Sequence, residues 1–306
     1  MRTVFSLSAL MFIVIVIGSV VIVAQTAITG AWTADTRADK EEKVENAGKV
    51  HLSFERQTDG NGRNQYGSSF SYDDLQGLSR EQAQNGKANF RLVREAGTIE
   101  CVGSFANGKG SGTFIFTPNQ SYVDTMKSRG FDFEKSSSKH DDGVENRLLS
   151  AALINVTTEL ADDLKSVGFG PLDINDLFKA AIFKVDSKFM AEMKATGFPN
   201  LTMEDLVKAR IFKIDADFVR QIHEMGFDKQ DFEGLVKFRI FKVTPEYLNS
   251  LRAVGLNDLS SEDVGKCQIF KIDPEFIRKA KAEDPNVTVE ELVQMKIGVR
   301  RTKDTN

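Results

Sequence analysis

The sequence predicts an α+β chain of several domains: a membrane-spanning N-terminal helix, a small antiparallel β domain, and a C-terminal α-helical solenoid. Three observations predict it. The first 34 residues contain an apolar stretch long enough to span a bilayer, residues 49–117 alternate apolar and polar with a period of two, and one aliphatic position recurs through the C-terminal half. That position is Leu153, Ile182, Ile211, Ile240, Ile269 and Ile297, with successive gaps of 29, 29, 29, 29 and 28 residues. A fixed period of this size marks stacked two-helix units that bury their apolar faces only against one another.

Taken in order, the N-terminal element is charge-free from Thr3 to Ala34. As a helix, Val4 to Val23 would measure about 30 Å, the thickness of a hydrocarbon core. This core is longer than that of a cleavable signal, and the residues two places before Ala24 and Ala27 are the bulky Ile22 and Gln25, which favours an uncleaved anchor over residues 1–27. A secreted or periplasmic form released by cleavage is the alternative. Arg2 on the short side places the N-terminus in the cytoplasm and the body on the extracytoplasmic side of the cytoplasmic membrane. Residues 28–48 hold a first strand and a polar tether.

The β domain is expected over 49–131. Val50, Leu52 and Phe54 alternate with His51, Ser53 and Glu55, and Ile99, Cys101, Gly103 and Phe105 lead into Asn107-Gly108. Asn-Gly between alternating runs is a hairpin signal, because both central residues of the tight turn need positive φ. Tyr72 to Gln84 reads as an inserted helix. Gly108, Gly110 and Gly112 resemble a phosphate loop only superficially, since no helix follows them. Tyr122 to Gly130-Phe131 repeats the spacing of Phe189 to Gly197 and Phe218 to Gly226, so one lone second helix of a repeat is fused to the last strand. Residues 132–146 form a polar loop.

The repeats occupy 147–299, followed by a tail at 300–306. Thr202 with Asp205, Ser260 with Asp263, Asp173 with Asp176 and Thr288 with Glu291 are cap pairs that start the first helix of a repeat. Val207, Ile211 and Ile214 then form one apolar stripe. Asp186, Asp215, Thr244 and Asp273 cap the second helix, and Gly168, Gly197, Gly226 and Gly255 close it in the left-handed conformation. The residue after the glycine folds back, pairing Phe169 with Leu164, Phe198 with Met193, Phe227 with Ile222 and Leu256 with Leu251.

Three further ladders share the period. Phe183, Phe212, Phe241 and Phe270 read as packing between repeats, with an aromatic groove for a peptide or lipid as the alternative. Lys179, Lys208, Lys237 and Lys266 follow Asp176, Asp205 and Asp263 by three residues and are expected to pair locally. Lys184, Lys213, Lys242 and Lys271 have no regular acidic companion and are the candidate partner-binding residues. Their expected counterpart is a protein or an anionic envelope component.

Composition removes several functions. The formal charge is 40 − 44 = −4 and the isoelectric point about 5.6, so no net positive field attracts nucleic acid. His51, His140 and His223 are far apart, and neither an H-E-x-x-H pair nor a G-x-S-x-G context occurs, so neither an enzyme nor a metal or cofactor site is expected. Cys101 and Cys267 read as buried apolar residues.

The units DLVKARIFKIDADFVRQIHEMGF, GLVKFRIFKVTPEYLNSLRAVGL and DVGKCQIFKIDPEFIRK resemble the tandem repeats of bacterial envelope proteins, repeats also found attached to membrane metallopeptidases of the beta-lactam-sensor type. The resemblance covers residues 147–297 and implies an interaction role; the peptidase motif is absent. Those repeats often carry His-Gly where this chain has Phe183-Lys184. The reading that follows is a non-enzymatic, membrane-anchored scaffold. Its rival is a lipid or small-apolar-ligand carrier whose curled sheet holds a molecule between Phe54, Phe90, Phe105 and Phe114.

Overall fold

The computed structural model describes residues 27–36, 48–58, 62–135, 143–198, 200–227 and 231–298. The anchor expected at 4–23, the tether at 37–47, residues 136–142 of the polar loop and the tail lie outside the described residues. Among those described, no helix is long and apolar enough to cross a membrane.

Seven strands form one curled antiparallel sheet: β1 (Ile28–Asp35), β2 (Val50–Thr58), β3 (Gly62–Phe70), β4 (Leu75–Gln76), β5 (Gly86–Arg94), β6 (Gly97–Ala106) and β7 (Lys109–Pro118), in the order β3-β2-β1-β7-β6-β5-β4. The first strand is interior, between β2 and the central β7, with Ile28 opposite Phe116 and Trp32 opposite both Phe54 and Gly112. The β6–β7 turn has φ of 51° at Asn107 and 77° at Gly108, the doubly left-handed geometry that an Asn-Gly hairpin requires.

Glycines on the inner face make room for aromatic rings. A Cβ on Gly103 or Gly112 would lie 2.6 or 2.8 Å from the indole of Trp32, so that ring lies directly on the backbone of β6 and β7. Its Nε1 donates to the carbonyl of Val102 at 3.3 Å, and its centroid is 5.2 Å from that of Phe90 and 5.6 Å from that of Phe105. Phe54 and Phe114 meet edge to face at 5.2 Å. These rings are all buried, so the concave side of the sheet is filled by its own side chains.

Residues 72–84 differ from expectation. They form hydrogen-bonded turns around the short β4 and not a helix. Leu75 and Gln76 instead pair with Leu92 and Arg91 of β5, between turns in which Asp74 accepts from the amide and hydroxyl of Ser71 and Gln82 accepts from the amide of Ser79. Gly77 between them sits at φ 94°, against the carbonyl of Asn89.

Twelve helices follow among the described residues. α1 (Gln120–Ser128) is the lone second helix; it packs on α3 (Thr158–Ser166) and closes with Gly130 at φ 95°. α2 (Gly143–Ile154) lies across β3, β6 and β7 and starts the array. First helices α4 (Ile174–Phe183), α6 (Met203–Phe212), α8 (Phe232–Ile240), α10 (Ser261–Ile269) and α12 (Val289–Lys296) stack in sequence on α2. Second helices α5 (Ser187–Lys194), α7 (Ala216–Glu224), α9 (Pro245–Arg252) and α11 (Pro274–Glu283) alternate with them.

Sheet and repeats share a core. Phe133, in the segment expected to be a polar loop, is fully buried, with its ring 5.5 Å from Tyr122 and 6.1 Å from Phe178. Tyr122 donates to the carbonyl of Val156 at 2.9 Å. That core runs from the sheet to Leu248 and Val264, and a second cluster begins at Leu251 and Cys267.

Candidate partner-binding surface

Each first helix of the array ends the same way. The amides of Val185, Ile214, Val243 and Ile272 donate back five residues, to the carbonyls of Ala180, Ala209, Phe238 and Cys267, at 2.8 to 3.0 Å. This closure needs a left-handed residue just before the returning amide. That residue is lysine: Lys184, Lys213, Lys242 and Lys271 have φ of 57°, 54°, 53° and 51°. Asn155 takes the same place in the first unit, at φ 57°, and Gly298 stands one residue short of it in the last, at φ 76°. The binding candidates are therefore also the turning points of the backbone.

The turn has a consequence for the residue two places earlier. Val207 and Ile214 are buried, whereas Ile211 between them is exposed, so the expected apolar stripe is split. The same holds along the array: Ile182, Ile211, Ile240, Ile269 and Ile297 are between 50% and 55% exposed. Leu153, at this register in the one first helix that packs on the sheet, is buried. Isoleucine at solvent five times in succession makes a contiguous apolar row, the kind of surface that marks contact with another molecule. Phe183, Phe212, Phe241 and Phe270 beside it are half-buried against the core.

Charge is distributed unevenly around this row. Local pairing is expected for the other lysine ladder, but Lys179, Lys208 and Lys266 each reach a glutamate one repeat on, the shorter contact for Lys179 and about equal to local Glu262 for Lys266. Lys179 reaches Glu204 at 2.5 Å and Asp176 only at 3.8 Å. Lys208 bonds Glu233, and Lys266 lies 3.2 Å from Glu290 and 3.1 Å from Glu262. The reason is that Asp176, Asp205 and Asp263 each accept from the backbone of their own cap residue, which holds their carboxylates at the helix start. Lys184, Lys213, Lys242 and Lys271 are exposed and form no ion pair among the described residues.

The row is held in register by latches between repeats. Arg239 donates to the carbonyl of Lys213 at 2.6 Å and stacks 3.7 Å above Phe218, and Gln268 donates to the carbonyl of Lys242 at 3.2 Å. At the other ends, Arg252 and Lys281 donate to the carbonyls of Met225 and Gly255, at 2.7 and 2.8 Å. The glycines expected there stand at φ 57° (Gly168), 96° (Gly197), 91° (Gly226) and 84° (Gly255). Phe227 and Leu256 donate back to Ile222 and Leu251, both at 3.2 Å.

A cleft of about 580 Å³ opens between α8 and α10, lined by Gly234, Phe238, Phe241, Gly265 and Ile269, with Lys237, Lys266, Asp231 and Glu262 at its polar rim. Gly265 stands where the preceding repeats carry Phe178, Val207 and Val236. The missing side chain leaves the space.

Elsewhere, chemistry is sparse. His51 is exposed on β2 with Nδ1 3.3 Å from the hydroxyl of Ser69, and His140 falls outside the described residues. No group of metal-ligating side chains occurs among the described residues. Burial pushes the Cys267 thiol up to about 11 and Cys101 higher still, so neither is a thiolate nucleophile near neutrality. No known family model matches the chain, and no curated protein matches it.

Proposed function

We propose that the chain is a non-enzymatic interaction scaffold of the bacterial envelope, anchored in the cytoplasmic membrane by residues 4–23 and binding a macromolecular partner through its helical repeats. The observation that carries this reading is the row of exposed isoleucines at the repeat period, flanked by unpaired lysines. The filled concave side of the sheet favours a scaffold over a carrier of lipid or a small apolar ligand, because Trp32 and four phenylalanines occupy the space a ligand would need. The likeness of residues 147–297 to envelope repeats, together with the charge-free N-terminal stretch, supports an extracytoplasmic body. Crosslinking in host membranes followed by affinity capture tests the proposal. Wild-type protein is expected to retain a partner that the quadruple change of Lys184, Lys213, Lys242 and Lys271 to glutamine loses, while unchanged capture moves the site elsewhere. N-terminal sequencing of membrane-derived protein tests the anchor; a mature chain starting near Gln25 or Ile28 makes the protein secreted.

A further inference from the structure

We infer that the partner segment is an extended, acidic, proline-rich peptide with a three-residue period, which lies along the isoleucine row and seats one large apolar side chain in the cleft between α8 and α10. This rests on the scaffold reading and names the chemistry of its partner. Three observations lead to it: spacing, charge and the cleft.

Neighbouring first helices pack side by side, and packed helices lie about 8–10 Å apart. The exposed isoleucines, and the lysines two residues after each, therefore recur at roughly that interval, held there by the bonds from Arg239 and Gln268 to the lysine carbonyls. A polyproline II chain has three residues per turn and about 3.1 Å per residue, so its side chains on one edge recur every ~9.3 Å. The two periods agree. A β-strand presents one face every two residues, or about 6.6 Å, and falls out of step within two repeats.

Charge selects the sign. Lys179, Lys208 and Lys266 are already matched by glutamates of the following repeat, whereas Lys184, Lys213, Lys242 and Lys271 form no ion pair among the described residues, the aspartates two residues after three of them being turned to the backbone amides of the next helix. A chain with carboxylates on one edge and aliphatic groups on the next, 120° away, meets both lines at once. A second copy of this protein would bring lysine against lysine, which charge repulsion opposes.

The cleft supplies an anchor. Its floor is the buried Phe238 and its walls are Phe241 and Ile269, so its mouth lies on the row itself. It also lies next to the boundary between the two apolar clusters, where Gly265 leaves the seam unfilled. Binding energy at such surfaces concentrates where one apolar side chain enters a desolvated pocket.

The probe is a fluorescent peptide of five Glu-Pro-Leu triplets with the middle leucine replaced by phenylalanine, titrated by anisotropy against the full chain in phosphatidylcholine nanodiscs. Binding is expected, weakening as salt rises from 50 to 300 mM. Gly265→Val should weaken it by roughly tenfold or more, as expected when a central anchor is excluded. A Cβ at Gly265 meets the ring of Phe241 at 3.5 Å, an ordinary contact, so the fold should tolerate the change. Gly265→Ala, which fills less of the cleft, should weaken binding less, and an unaltered circular dichroism spectrum in both variants separates blockage from misfolding. A Lys-Pro-Leu peptide should not bind, and a Glu-Leu alternating peptide should bind at least roughly tenfold more weakly. The inference is overturned if the triplet peptide fails to bind, if the alternating or basic peptide binds equally well, or if Gly265→Val changes nothing. It is also overturned if phosphatidylglycerol vesicles displace the peptide and bind both proteins equally, which makes the row a lipid surface. Capture of a membrane partner that ignores Gly265→Val but needs the four lysines leaves the scaffold standing without this peptide. Absence of any captured partner with the wild-type protein sinks the scaffold reading itself.

Discussion

The sheet and the helical array solve the same burial problem with contacts of different range. In the sheet, Ile28 pairs with Phe116 and Trp32 with Gly112, so closure joins residues some 80 positions apart, and aromatic rings occupy the concave face. In the array, each unit leans only on its neighbours: Lys179 on Glu204, Arg239 on Phe218 and Lys213, Lys281 on Gly255. A closed set of long-range contacts consumes its apolar positions. A periodic set leaves the same position over in every unit, and here that position is the isoleucine two residues before the turn. The first unit shows what such a position becomes when covered, since Leu153 is buried in the helix that packs on the sheet.

The largest effects should come from breaking the two cores separately. Trp32→Ala removes the ring that fills the sheet and should cost about 3–5 kcal/mol, the range for deleting a large buried aromatic side chain. Leu292→Ala removes a fully buried side chain from the last unit, for about 2–5 kcal/mol, but only locally. Each region contains one buried thiol, Cys101 in β6 and Cys267 in α10, so labelling with a thiol reagent across a denaturant series reads each region's opening. Trp32→Ala is expected to expose both thiols at lower denaturant, and Leu292→Ala only Cys267. If both thiols respond together to Leu292→Ala, the molecule is one cooperative unit and the contrast is lost.

The next effects have opposite signs and compare two kinds of left-handed turn. Gly226→Val forces a β-branched residue to φ near 91° and should lower stability by about 1–3 kcal/mol. Lys213→Gly relieves a left-handed lysine and should raise it by about 0.5–1 kcal/mol, because the strain removed exceeds the extra freedom of the unfolded chain. Thermal midpoints of the full chain in nanodiscs decide both. A loss at Lys213→Gly means that the lysine stem contributes more by packing than its backbone costs.

These two turns mark what was legible in the sequence. The glycine turns were readable because glycine followed by an apolar residue, eight residues beyond an aromatic, recurs from Gly130 onward. The lysine turns were not, because lysine carries no conformational signature; the signal lay in Asn155, at the same register in the first unit, and in Gly298, one residue short of it in the last. Ile211 was misplaced for a related reason. Helical spacing from Val207 admits it to the apolar stripe, but periodicity does not tell the edge of a stripe from its centre, and Ile211 lies on the solvent side of the last turn. The helix expected at 72–84 gives way because Leu75 and Gln76 pair with β5 and Gly77 turns left-handed against Asn89, long-range contacts that local spacing does not show. The inter-repeat ion pairs were hidden because their partners lie 24 or 25 residues apart, a distance that only the stacking brings together.

The smallest effect tests what those ion pairs do for the array. The hydrogen bond from Lys179 to Glu204 raises the lysine pKa against the opposing effect of partial burial. A raised folded value means that the pair stabilises fully below the unfolded lysine value, about 10.4, and that this contribution is lost as pH climbs through the folded value. Glu204 is well exposed and Lys179 is about a third exposed, so solvent screening limits the pair to about 0–1 kcal/mol. Lys179→Gln should therefore lower the thermal midpoint slightly at pH 7 and low salt, and the difference should vanish at 1 M salt, where the screening length falls to about 3 Å. It should also shrink in strongly alkaline solution. A difference that survives both conditions assigns the contribution to the methylene stem of Lys179 packed against the next helix, and the array would then be joined by apolar contact throughout, as the sheet is.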